Sequence, residues 1–154
     1  MKYYIFILVT FLFISCTKEE SRHYEAYLIN NSLHNIEFRP YYGGIVPTAN
    51  IFRLAPNDTL QIADGNDRGK NGYGFNPKYY AGADSIVAIF DNLYSIVHYG
   101  IAPAVLNPKH YLYSSLKNIA NTDGYRVVIT DYSKYDSRYV YWKTFTEEDY
   151  LDAK

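Results

Sequence analysis

Apolar and polar positions change rhythm sharply along this chain. Residues 3–14 are an almost unbroken apolar run, and from residue 24 onward the apolar positions come in short runs with a period near two. A period of two places successive side chains on opposite faces of a strand. Residues 24–29 alternate Tyr24, Ala26 and Leu28 against Glu25, Tyr27 and Ile29, then stop at Asn30-Asn31-Ser32. Residues 35–41 set Ile36 and Phe38 against Glu37 and Arg39, the pattern of a half-buried strand. Pro40 has no N–H to give a ladder, so the end of that strand belongs at a sheet edge or outside the sheet. Residues 51–54 and 59–63 flank Ala55-Pro56-Asn57-Asp58, whose proline and Asx residues suit a tight turn. That pair reads as a hairpin.

Residues 85–90 (Ser-Ile-Val-Ala-Ile-Phe) are apolar on both faces and predict a central strand. Asp91-Asn92 turns the chain into another strand over 93–99. The last pair is 125–130, introduced by Asn121-Thr122-Asp123-Gly124, and 138–145, rich in tyrosine and holding the only tryptophan, Trp142. Helix signals are scarce. Asn107-Pro108 fits an N-cap followed by proline at the first helical position, with Leu112 and Leu116 one turn apart, and predicts a short helix across one end. Thr146-Glu147-Glu148-Asp149 fits a cap with carboxylates at the positive end of a final turn. Residues 43–48, 64–83 and 100–106 read as irregular. Roughly eight strands in about 120 residues, with turn residues throughout, predict an all-β fold. The expected architecture is an antiparallel β-sandwich with one or two short helices.

The apolar run at the start is too short to span a bilayer as a helix, which takes about 20 residues. With Lys2 ahead of it and Ser15 just before Cys16, it reads as a signal peptide over residues 1–15. Phe13-Ile14-Ser15-Cys16 resembles the lipobox of bacterial lipoproteins, with Phe13 where leucine is usual, a looseness familiar in the Bacteroidota. The resemblance implies cleavage before Cys16 and multiple acylation of that cysteine, hence durable anchoring without a transmembrane helix. Thr17-Lys18-Glu19-Glu20 follows, and Lys18, Glu19 and Glu20 resemble the export signal that places some Bacteroidota lipoproteins on the outer cell surface. Without that resemblance, residues 17–22 are a solvated spacer, and the periplasmic face of the outer membrane stays open. Phe145-Thr-Glu-Glu-Asp-Tyr150 also resembles the ending of many small lipoproteins of that group. The expected organisation is a signal over 1–15, an acylated Cys16 and polar tether over 16–23, and one β-sandwich domain over 24–154.

Composition narrows the chemistry. Cys16 is the only cysteine, so once acylated it leaves no disulfide, thiolate metal site or cysteine nucleophile. Loss of Lys2 leaves 14 basic against 16 acidic residues, a net charge near −2, and no basic face for nucleic acid. Tyrosine is abundant, 19 in the whole chain. It suits strand faces, and it also suits binding surfaces. Asp64, Asn66 and Asp67 lie close together in a glycine-rich stretch, but Arg68 and Phe75 stand where a calcium loop needs oxygen ligands. Gly72-Tyr73-Gly74 lacks the third glycine of a dinucleotide fingerprint. His23, His34, His98 and His110 have no zinc spacing, and His98 reads as a packed residue on a strand face. No GxSxG nucleophile elbow is present. Carboxylate pairs such as Asp84 with Asp91, or Glu147 with Asp149, read as turn and helix-start residues. No catalytic residue, cofactor or metal ligand is expected.

Two stretches, Asp58-Thr59-Leu60 and Asp84-Ser85-Ile86, resemble the Bacteroidota O-glycosylation acceptor, which makes Thr59 and Ser85 candidate modification sites. Aspartate at a turn followed by the first residues of a strand yields the same pattern without modification. The leading functional reading is a non-enzymatic, lipid-anchored outer-membrane lipoprotein serving as an interaction or accessory module. The alternatives are a carbohydrate binder that stacks sugars on exposed tyrosines and Trp142, and a small envelope hydrolase. An interaction module should expose an apolar patch or a long edge strand. A sugar binder should expose aromatics in one plane, and a hydrolase should bring titratable groups together in a pocket.

Overall fold

The computed structural model describes residues 21–68 and 75–154. Strands dominate: β1 (Ser21–Asn30), β2 (Ile36–Tyr41), β3 (Phe52–Leu54), β4 (Thr59–Arg68), β5 (Ser85–Phe90), β6 (Tyr94–Tyr99), β7 (His110–Tyr111), β8 (Arg126–Ser133) and β9 (Asp136–Phe145). One helix follows, α1 (Glu147–Ala153). The strands form two sheets, ordered β4-β1-β9-β8 and β3-β2-β5-β6-β7. Both are mixed, which corrects the expectation of purely antiparallel pairing. β1 runs parallel to β9 over the full length of both, and β6 runs parallel to β7. Parallel neighbours need no tight turn between them, so nothing local in the sequence announces them.

The alternation expected along the strands is present. Leu28, Ile36, Phe38, Ile86 and Phe90 are fully buried, and the sheets share one core in which Phe38 meets Phe145 at 5.1 Å. β5 is the central strand of its sheet, flanked by β2 and β6. β3 pairs only with residues 36–38 of β2, so Pro40 sits where β2 has lost its second neighbour and its missing N–H costs nothing.

Three local expectations fail. Residues 51–54 and 59–63 do not pair as a hairpin: β3 joins β2 while β4 joins β1 in the other sheet. The intervening turn crosses between sheets because Asn30 captures it, its side chain donating to Leu54 O and Ala55 O while its carbonyl accepts from Asn57 N–H. Residues 107–116 form no helix. The Asn107 side chain accepts from Lys109 N–H, and the chain then runs beside β6 as β7, leaving Leu112 and Leu116 exposed. Residues 64–68 are strand, extending β4 against residues 21–25, so β1 also begins three residues earlier than its alternation suggests. Thr146 does start α1, with Asp149 accepting from its N–H at 2.8 Å.

The strands define two ends. At the far end β1 stops at Asn30, and five residues lead into β2. The turns at 55–58 and 91–93 and the start of α1 gather there, through Asn31 N–H to Phe145 O and Asp91 N–H to Asn35 O. At the near end β1 begins at Ser21. Tyr41, Ser85 and Tyr99 lie side by side as β2, β5 and β6 finish or start, and the segments 43–47 and 101–106 extend from them.

Candidate functional site

Four regions could carry function, and their geometry separates them. The first is a groove of about 470 Å³ at the far end, lined by Asn35, Glu37, Arg53, Asp58 and Asp91 among others. Its acids are all engaged. Burial pushes the Glu37 carboxyl up, but Arg39 and Arg53 bind it and the net effect holds it below its ordinary value. Asp91 is held low by His34, whose Nδ1 lies 2.5 Å away, and by the N–H of Asn35. Asp58 accepts from Ala55 N–H at 2.9 Å. Both Glu37 and Asp91 are therefore held by partners within the fold.

His34 belongs to a latch. Its ring stacks on Tyr150 with centroids 3.6 Å apart, and Nε2 lies 3.1 Å from Glu147 of α1. The bond to Asp91 is the main force raising its pKa, burial opposes it, and Glu147 reinforces the rise. The arrangement ties two turns to the helix. It leaves no nitrogen for a substrate.

The second region is the outer face of the four-stranded sheet. Glu25 accepts from the Tyr27 hydroxyl at 2.7 Å and from Arg138, and His23 lies 3.1 Å from it. The Tyr27 bond leads the lowering of the Glu25 pKa, burial opposes it, and Arg138 and His23 add to the lowering. Trp142 stacks on Tyr27 with centroids 4.9 Å apart and planes 19° from parallel. The two rings cover part of each other, so they do not form the flat two-ring platform expected of a sugar binder. Asp64 and Asn66, the candidate calcium ligands, point to this same face, and Asn66 is bound to His23. Among the described residues no three acids or histidines are grouped to hold a metal ion.

The third region is interior. His98 is fully buried. Its Nδ1 accepts from Ile119 N–H at 3.1 Å, and burial lowers its pKa to about 3, with Lys143 adding to the effect. Tyr80 and Tyr125 share a buried hydroxyl pair at 2.8 Å. His98 and this pair are buried core groups, as the strand position of His98 suggested.

The fourth region is exposed and apolar. β8 is the edge of its sheet, has no strand partner other than β9 among the described residues, and is exposed at all eight positions. Val127, Val128 and Ile129 stand on it with 42%, 45% and 52% of their surface in solvent. Natural sheets usually blunt such an edge with charge, proline or a cover. At the near end, Ile45 is 70% exposed on a turn whose Gly43 and Gly44 adopt positive φ. Ile101, Val105 and Leu106 are exposed on the segment that follows Gly100. Gly100 is required there: an added methyl would collide with the carbonyl oxygen of Ala83, against which the chain turns.

Of the residues singled out in the sequence, the fold joins His34 with Asp91 and Glu147, and His23 with Asp64 and Asn66, whereas the two candidate modification sites lie apart. Thr59 is exposed at the start of edge strand β4, whereas Ser85 is half-buried in central β5. Each preceding aspartate holds a turn, Asp58 through Ala55 N–H and Asp84 through Gly43 N–H. Cys16, Lys18, Glu19, Glu20 and Gly72-Tyr73-Gly74 lie outside the described residues. Sequence reasoning passes over residues 101–106, although Ile-Ala-Pro-Ala-Val-Leu is six apolar residues in a row. It pairs β8 correctly with β9, but nothing local shows that its other edge stays open. No protein-family model, curated protein or solved structure matches the chain.

Proposed function

We propose that this chain is a lipid-anchored lipoprotein of the outer membrane, facing the cell surface, whose β-sandwich domain acts as a non-catalytic interaction module. The observation that carries the interaction reading is β8, a strand of eight exposed residues with apolar side chains on both faces and, among the described residues, no strand along its outer edge. An extended segment of a partner added along that edge would gain main-chain hydrogen bonds for affinity and alternate side chains for specificity. The sandwich reading is supported by the common core beneath both sheets, and the anchor by the lipobox-like run ending at Cys16.

Amide hydrogen exchange tests the interaction. β8 amides should exchange quickly in the purified chain and at least tenfold more slowly in membranes of the source organism. Equal rates in both settings would remove the reading. Intact mass of the N-terminal peptide tests acylation of Cys16, and a non-permeant protease applied to whole cells tests which membrane face carries the domain. The mass of the whole protein from its native host, and of the peptides spanning Thr59 and Ser85, reports whether either residue carries a glycan.

A sugar-binding role keeps one specific observation in its favour: Trp142 stands on the outer sheet face against Tyr27, whose hydroxyl is bound to Glu25. As the only tryptophan, it reports directly on any glycan that binds there. Unchanged emission across a panel of surface polysaccharides would end that role.

A further inference from the structure

We infer that the near end of the domain rests in the lipid surface, with the segments 43–47 and 101–106 as its apolar contacts. The inference rests on the lipoprotein reading of residues 1–20 and goes beyond it, because an acylated cysteine alone would leave the domain free to swing above the membrane. Residues 41–52 contain no charged side chain, and neither do residues 100–108. Ile45 is 70% exposed, Ile101 63% and Val105 83%. Large aliphatic side chains exposed in uncharged segments mark a surface that something covers.

The location points to the occupant. β1 begins at Ser21, directly after the tether, and its opposite end joins β2 through only five residues. β2 therefore finishes at the end where β1 starts, and Tyr41, Ser85 and Tyr99 place both apolar segments there. The five residues from Cys16 to Glu20 reach about 17 Å when fully extended. An anchored Cys16 thus holds this end, and not the far end, close to the lipid.

The chemistry suits shallow contact. Ile45 pairs its backbone with Tyr42, but residues 102–106 lie in no helix or strand, and backbone without such pairing stays out of the hydrocarbon core. Aliphatic side chains on such segments reach the headgroup and acyl boundary. Tyr99 sits at the base of the second segment, its hydroxyl accepting from Asn107 N–H, and Tyr113 and Tyr132 are exposed. Tyrosine is favoured at that boundary. The first charged side chain beyond the second segment is Lys109, a cation that anionic headgroups accommodate.

The test uses the mature acylated chain in vesicles of phosphatidylethanolamine and phosphatidylglycerol. Acylation consumes the only native cysteine, so Val105→Cys offers a single thiol for an environment-sensitive fluorophore. Leu93→Cys, at an exposed position of the far end, is the control. The label at 105 should shift to the blue and lose at least half its emission to lipids brominated near the headgroup, while the label at 93 should do neither. A chain that floats with the vesicles while both labels report water overturns the inference and leaves the anchor standing. A chain that fails to float, with Cys16 unmodified by mass, overturns the anchor reading and the inference with it. In a lipid-free mature chain carrying Cys16→Ser, a dehydrated label at 105 together with a doubled mass would assign the surface to a second copy and also overturn it.

Discussion

The two ends of this domain are built on opposite principles. At the far end, buried Asn30 donates to the carbonyl oxygens of His34, Leu54 and Ala55 and accepts from the N–H and hydroxyl of Ser32. Beside it, His34 bridges Asp91 and Glu147. Polar side chains there satisfy backbone groups that three crossing segments would otherwise leave buried without partners. At the near end one turn is glycine-based and exposed Ile45, Ile101 and Val105 stand in uncharged segments, whereas the exposed Leu33 and Leu93 of the far end stand beside His34 and Asp91. A polar network specifies how chain segments cross, whereas an apolar rim specifies what the surface meets. Stability should therefore respond to the far end and surface behaviour to the near end.

The largest expected effect is at Asn30. Asn30→Leu keeps a similar volume but strips several buried backbone groups of their partner, and should cost about 3 kcal/mol in urea unfolding. A loss no greater than that of an exposed substitution would abolish the contrast between the ends. Gly100→Ala, at the base of the near-end segment, should cost about 2 kcal/mol because the chain packs against the Ala83 carbonyl. The destabilisation belongs to that packed base. By the same logic the combined change Val105→Asp and Leu106→Asp, at the tip, should leave stability within about 0.5 kcal/mol while removing lipid contact.

The smallest effect is pH-dependent. His34 has a raised pKa, so its contribution is complete below its ordinary value of 6.5 and is lost as pH rises through the raised one. Asp91 has a lowered pKa, so its contribution is present above its ordinary 3.8 and is lost as pH falls through the lowered value. Stability from this pair should be flat between the two ordinary values and decline on either side. His34→Ala should flatten the alkaline decline, by under about 1 kcal/mol since Glu147 is half exposed and Asp91 partly so. His23, raised mainly by its bond with Asn66 and supported by Glu25, adds a weaker slope of the same sign. His23→Ala should therefore change the profile less than His34→Ala, and the reverse order would put the dominant latch at the near end.

Much of this architecture is legible in the order of residues alone. Alternation in residues 24–29 and 35–41 yields the buried faces of β1 and β2, the double-faced apolar run yields central β5, and Asp91-Asn92 yields a turn whose two residues adopt positive φ. Thr146 and Asp149 announce the last helix. Each of these rests on contacts a few residues apart. The exposed apolar regions are only half legible. The apolar stretch 101–106 stands in plain view, but its exposure does not, since the same six residues could have filled a core.

What the sequence by itself determined is therefore the local grammar: which residues turn, which alternate, and which carry the lipobox-like start. Only the tertiary structure decided that β3 and β4 part into different sheets, that β9 lies parallel to β1, and that β8 is left as an edge. Strand pairing is a competition among all strands of the chain, settled by the shared core and by distant groups such as the Asn30 side chain. A period of two records that a strand has a buried face. It holds nothing about which strand lies alongside, because the backbone groups that pair are the same in every residue except proline.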